Sequence, residues 1–128
     1  MTVAFWCVLI AIFLPYLCTG LAKFSDGKFG LRENHDPRAF LEGLEGFAKR
    51  AHSAQLNGFE VTPAFAAAVI IAHIAGTASL VTINVLAVLF ITSRLLYIIC
   101  YLADWAILRS LVWFVGMVLI AAFFFVSI

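Results

Sequence analysis

Residues 50–76 read RAHSAQLNGFEVTPAFAAAVIIAHIAG. From Val61 onward the run is apolar enough to enter lipid, yet Arg50, His52, Ser53, Gln55, Asn57 and Glu60 stand at its mouth. A charged side chain at the centre of a membrane helix costs about 2.5–3.5 kcal/mol on insertion scales, so such groups face a protein interior or a wet cavity. Spacing sharpens the point: Arg50, Ser53, Asn57 and Glu60 fall at i, i+3, i+7 and i+10, one stripe of an α-helix. Pro63 removes a backbone hydrogen bond and predicts a kink where the helix enters the bilayer, opening room beside Asn57 and Glu60. The stretch therefore reads as a membrane helix with a candidate site at its entrance.

The rest of the chain agrees. Of its 128 residues 65% are hydrophobic, and the net charge is only +1, which excludes a nucleic-acid binder, a disordered tail and an ordinary soluble domain. A spanning helix needs about 20 mostly apolar residues. Four segments meet or approach that, 3–22, 58–78, 80–102 and 108–128, with 23–57 left as a loop and helix extension. The chain is expected to be an all-α integral membrane protein, one domain over 1–128 built as a four-transmembrane-helix bundle. No Lys or Arg precedes the first span, Pro15 lies inside it and no small-x-small cleavage pattern follows, so it is expected to be retained. Lys23, Lys28, Arg32, Arg38, Lys49 and Arg50 all lie between the first two spans, whereas GTASLVT between the second and third has no cation. The positive-inside rule then puts the 23–57 loop on the cytoplasmic side and both termini opposite. Cys7, Cys18 and Cys100, odd in number and at no metal-like spacing, read as small buried hydrophobes.

Asp36 and Pro37 supply an N-cap and a first-turn proline. The following AFLEGLEGFAKRAHSAQLNGFE is expected to stay helical into the second span. In the third span Arg94, Tyr97 and Tyr101 fall at i, i+3 and i+7, a second stripe that reaches the depth where Arg109 opens the fourth helix. Four helices of this size cannot enclose a large polar cavity alone. The two stripes are therefore expected to meet between helices of neighbouring subunits in a symmetric oligomer.

Plainer readings stand beside these. Glu60 paired with an arginine such as Arg94, with Asn57 bonding across helices, is a structural brace. Tyr97 and Tyr101 can form an interfacial aromatic belt. Arg109 can simply mark topology, although a cation at a helix N-terminus opposes the macrodipole and gains from an anionic partner. His73 reads as a buried, hydrogen-bonded histidine, Thr77, Ser79 and Thr82 as a solvated turn, and Glu33 to Asp36 as polar loop rather than a metal site.

NGFEVTPAF (57–65) opening the second span, RLLYIICYLAD (94–104) closing the third and LRSLVWFVG (108–116) opening the fourth resemble the MAPEG proteins, the membrane-associated proteins in eicosanoid and glutathione metabolism. The resemblance covers nearly the whole chain, is most specific in N-x-x-E-x-x-P and in R-x-x-Y-x-x-x-Y followed by an Arg, and points to the bacterial members. It implies a homotrimer in the lipid bilayer, of bacterial inner-membrane type, with glutathione as co-substrate between adjacent subunits near the cytoplasmic face. It further implies that Asn57 and Glu60 hold the peptide, Glu60 accepting from its amino group. Tyr97 and Tyr101 line the pocket with Arg50, Ser53 and Arg94, Arg109 lies near the thiol, and Ser110 matches a serine of one eicosanoid branch. Ser53 stands where the eicosanoid enzymes carry an arginine, Val61 where one carries a tyrosine, and Lys23 near an arginine position at the end of the first helix.

The activity so implied is that of a glutathione-dependent transferase or peroxidase acting on a lipophilic small molecule, an electrophile or a lipid hydroperoxide, with the thiolate stabilised by Arg109. The alternative is a non-catalytic membrane protein of the same fold whose cleft holds a lipid or lipophilic ligand. An ion or proton pathway is the weakest reading, because the outer half of the spans has little beyond His73 to continue the polar stripes.

Overall fold

Along the first apolar run, small residues recur at every third or fourth position: Ala4, Cys7, Ala11, Pro15, Cys18 and Ala22. In the computed structural model, which describes all 128 residues, they form the buried stripe of α1 (Val3–Phe24). Lipid is as apolar as leucine, so helices in a bilayer associate through close packing more than through hydrophobic burial. A stripe of small residues allows that approach. Opposite it lies α3 (Gly46–Ala75), whose buried positions include Ala48, Ala51, Ala54, Ala68 and Ala72. At the closest point Gly58 faces Pro15, where a methyl group on Gly58 would lie only 2.7 Å from Pro15 Cγ. Pro15 has no amide hydrogen, so the Ala11 carbonyl one turn earlier loses its helical partner. The Thr62 hydroxyl of α3 reaches that carbonyl at 3.2 Å, sharing its proton with Gly58 O at 2.7 Å.

The remaining helices are α2 (Pro37–Glu42), α4 (Leu80–Leu102) and α5 (Ala106–Phe125), with a 3₁₀ turn at Glu33–His35. α1, α3, α4 and α5 are each long and apolar enough to cross a membrane. Their centre is packed by Phe65 of α3, stacked on Phe90 of α4 at 4.0 Å and met edge-on by Phe123 of α5 at 6.0 Å. At one end of the bundle is the 25–45 loop, and at the other are both termini and the 76–79 turn. There the His73 Nδ1–H donates to Val69 O at 2.7 Å, Nε2 meets Thr2 Oγ1 at 3.0 Å, and the ring stacks on Phe5. Ser79 caps α4 by accepting from Thr82 N. All three cysteines are buried.

The expected continuous helix from residue 37 does not form. α2 does start with Asp36 accepting from Ala39 N and Pro37 in the first turn, but it stops at Glu42. Gly46 opens the next helix with φ +59, a left-handed conformation that glycine adopts without strain and that no continuous helix contains. α3 then runs through Pro63 without interruption and ends at Ala75, three residues before the expected 78, with Gly76 beyond it. The last helix likewise starts at Ala106 and ends at Phe125, against the expected 108–128. Thirty residues make α3 about 45 Å long, well beyond a hydrocarbon core of about 30 Å. Its first turns therefore project past the loop end of the other spanning helices.

Candidate functional site

Two local decisions place the site. The first is the turn from α4 to α5. Trp105 N donates to Cys100 O at 2.9 Å and Asp104 N to Tyr101 O at 3.2 Å, the paired bonds of a Schellman ending. Asp104 occupies the left-handed position with φ 61, which aspartate tolerates better than most residues. The chain reverses in three residues, and α5 returns beside α4 with Arg109 level with Tyr101. The second is an anchor between α3 and the end of α4: Arg50 Nε donates to Leu102 O at 3.2 Å, placing a cation on an otherwise unsatisfied terminal carbonyl.

With these in place Asn57 of the first stripe faces the second stripe inside one chain. Arg94 is 5% exposed, and its Nη2 donates to Asn57 Oδ1 at 2.8 Å. Its guanidinium lies 4.2 Å from the centre of the Tyr97 ring, while Nη1 has no hydrogen-bond partner in the chain. Tyr97 meets Tyr101 edge to face at 5.6 Å, and Arg109 stands over Tyr101 at 4.4 Å. The result is a ladder of two rings bracketed by two cations along the α3, α4 and α5 contact. The stripes, expected to meet between helices of neighbouring subunits, already touch inside one chain, where the contact of α3 with α4 joins Asn57 to Arg94. Of the brace reading, the bond of Asn57 across helices is present, with Arg94 as its partner, while the pairing of Glu60 with Arg94 is not. Glu60 is exposed on the flank of α3, receiving only a long 3.5 Å contact from Asn57 Nδ2.

Beside this ladder opens a cleft of about 240 Å³ lined by Asn57, Tyr97, Tyr101, Arg109, Ser110 and Trp113. The Ser110 hydroxyl donates to Ala106 O at 3.1 Å, which leaves its lone pairs free to accept. Arg109 lies in the first turn of α5, where the helix dipole already carries positive charge. The Tyr101 face offsets part of that unfavourable placement, and an anion in the cleft would offset more. Of the residues singled out from sequence, Asn57, Tyr97, Tyr101, Arg109 and Ser110 line the cleft, and Arg94 supports it from behind. Arg50, Ser53 and Glu60 do not line it. Trp113 was missed, although it follows Arg109 by one helical turn, the same spacing logic that defined the other stripes. A second groove of about 330 Å³ on α1, lined by Leu9, Ile10, Phe13, Leu14 and Leu17, is wholly apolar. It offers room for an acyl chain and no group for chemistry.

Compared with known proteins, residues 3–128 match the model of the MAPEG family. No curated protein and no solved structure matches the chain.

Proposed function

The chain belongs to the MAPEG family, and on that premise we propose that it is a membrane-bound glutathione-dependent transferase or peroxidase acting on lipophilic electrophiles or lipid hydroperoxides. The observation that carries this reading is the cleft, in which one guanidinium, Arg109, shares a small space with the polar groups of Asn57 and Ser110 and the rings of Tyr97 and Tyr101. A cysteine thiol titrates near pH ~8.5 and is mostly protonated at neutral pH. A cation beside the sulfur lowers that value by about 1–3 units and yields the nucleophilic thiolate. In this reading Arg109 holds the sulfur, with Ser110 adjacent, while Asn57, kept in place by Arg94, and the two tyrosines hold the peptide. Glu60 accepts from the ammonium group of glutathione. Because Glu60, Ser53 and Arg50 lie outside the cleft of one chain, the reading includes a homotrimer in which a neighbouring copy completes the site. Glutathione arrives from a cytoplasmic loop end, and the lipophilic partner arrives sideways from a bacterial inner membrane, with both termini on the far side.

A second reading, a non-catalytic protein holding a lipid or lipophilic ligand, is favoured by one observation. Arg109 is the only cation lining the cleft, and Arg50 is engaged by the Leu102 carbonyl, whereas glutathione carries two carboxylates. Calorimetric titration of glutathione into the detergent-solubilised protein, with thiolate absorbance followed in the ultraviolet, separates the two readings. The transferase reading expects saturable binding that weakens in Glu60→Gln and a thiolate signal that disappears in Arg109→Ala. Absence of binding at millimolar glutathione in folded, oligomeric protein would leave the ligand-holding reading.

A further inference from the structure

Two of the three aromatic rings in the cleft are already covered. Arg94 lies over Tyr97 and Arg109 over Tyr101, and the tyrosines meet edge to face. Trp113, the third, carries neither a ring nor a guanidinium on its face. It lies four residues after Arg109, so about 6 Å farther from the loop end along α5 and deeper in the apolar span. Trp113 is half-buried, on the side of α5 that lines the cleft. Charge at Arg109 and an unstacked indole one turn below it form a polarity gradient along the cleft.

We propose that Trp113 is a specificity-determining residue, whose cleft-lining indole, free of any stacked ring or guanidinium, stacks on a planar, electron-poor ring of the lipophilic co-substrate and favours aromatic electrophiles over saturated alkyl hydroperoxides. The proposal rests on the glutathione-dependent reading above and names the substrate class for the same cleft. An electron-rich indole and an electron-poor ring have complementary quadrupoles, which favours offset stacking. The two reactions differ in what a ring can contribute. With an activated aryl chloride, the thiolate sulfur bonds to the ring carbon, chloride leaves, and the thiol proton goes to solvent. With an alkyl hydroperoxide, sulfur takes the terminal oxygen and the O–O bond breaks. The alkoxide is protonated to the alcohol, and a second glutathione converts the sulfenic acid to disulfide and water. Only the first substrate presents a π face to Trp113.

The test compares wild type, Trp113→Leu and Trp113→Phe by kcat/KM with dinitrochlorobenzene and with tert-butyl hydroperoxide at fixed glutathione. Trp113→Leu is expected to lower the ratio of the two values about five- to tenfold, chiefly through KM for the aryl substrate. Trp113→Phe should restore the ratio to within about twofold. A ratio that does not move in Trp113→Leu overturns the proposal. A titration of dinitrobenzene alone, which has no leaving group and needs no glutathione, provides a second readout: Kd should weaken in the leucine variant and recover in the phenylalanine variant. Equal Kd values in all three proteins overturn it as well. Trp113-dependent binding of dinitrobenzene in a protein that neither binds nor turns over glutathione would sink the transferase reading while upholding the stacking site.

Discussion

Replacing Gly58 with alanine sets local propensity against tertiary packing. Within a helix interior alanine is preferred to glycine by about 1 kcal/mol, so the sequence alone predicts stabilisation of α3. The structure predicts the opposite. The new methyl carbon would lie 2.7 Å from Pro15 Cγ and 3.3 Å from Pro15 Cβ, where carbon atoms in contact prefer about 3.5–4.0 Å. The proline ring is tied to its own backbone and cannot swing aside, so α1 and α3 must part by about 1 Å. Overpacking of this kind costs about 1–3 kcal/mol. After the propensity gain of about 1 kcal/mol, a net loss of up to about 2 kcal/mol is expected at this one crossing. The parting also stretches the Thr62 contact to Ala11 O, already 3.2 Å, and shifts Asn57, the residue next to Gly58, away from Arg94. Equilibrium unfolding in mixed detergent and lipid measures the first effect, and a double-mutant cycle with Pro15→Ala isolates it. The double variant should recover at least about 1 kcal/mol relative to the sum of the single changes. Gly58→Ala protein more stable than wild type, with no coupling to position 15, would refute this account of the α1 and α3 contact.

Asn57→Ala leaves the buried Arg94 guanidinium with no hydrogen-bond partner in the chain. It is expected to cost about 1.5–3 kcal/mol, the range for a lost bond to a charged group, seen as a lowered unfolding midpoint even without ligand. Thr62→Val keeps the shape but removes the hydroxyl that serves Ala11 O. A loss of about 1 kcal/mol is expected, within the range for interhelical hydrogen bonds in membranes, and a neutral result would show that the Gly58 carbonyl takes the whole proton. Asp104→Gly relieves the left-handed conformation at the α4 to α5 turn and should stabilise by about 0.5–1 kcal/mol. Destabilisation measured in the same unfolding assay would mean that the aspartate side chain makes a contact worth more than its backbone strain.

Much of this protein is decided by local physics and is therefore legible in the residues alone. Four apolar runs of spanning length fix four membrane helices, because an unpaired backbone in lipid is too costly for any other state. Asp36 and Pro37 start a helix wherever the chain goes next, and the 3.6-residue period alone groups Arg94 with Tyr97 and Tyr101. What no period can supply is the rotation and depth of one helix against another. That Arg94 takes Asn57 and leaves Glu60 exposed, and that Trp113 joins the cleft, depend on how the helices come together: the α1 and α3 crossing at Pro15 and Gly58, the Arg50 anchor on the end of α4 and the return of α5 after the reversal at Asp104. The break before Gly46 belongs to the same class, since helix-forming residues flank it on both sides and only the positive φ reveals that the chain changes direction. Small side chains permit many close approaches between helices, and their sequence does not say which approach is used. The packed structure selects one, and with it the groups that share the cleft.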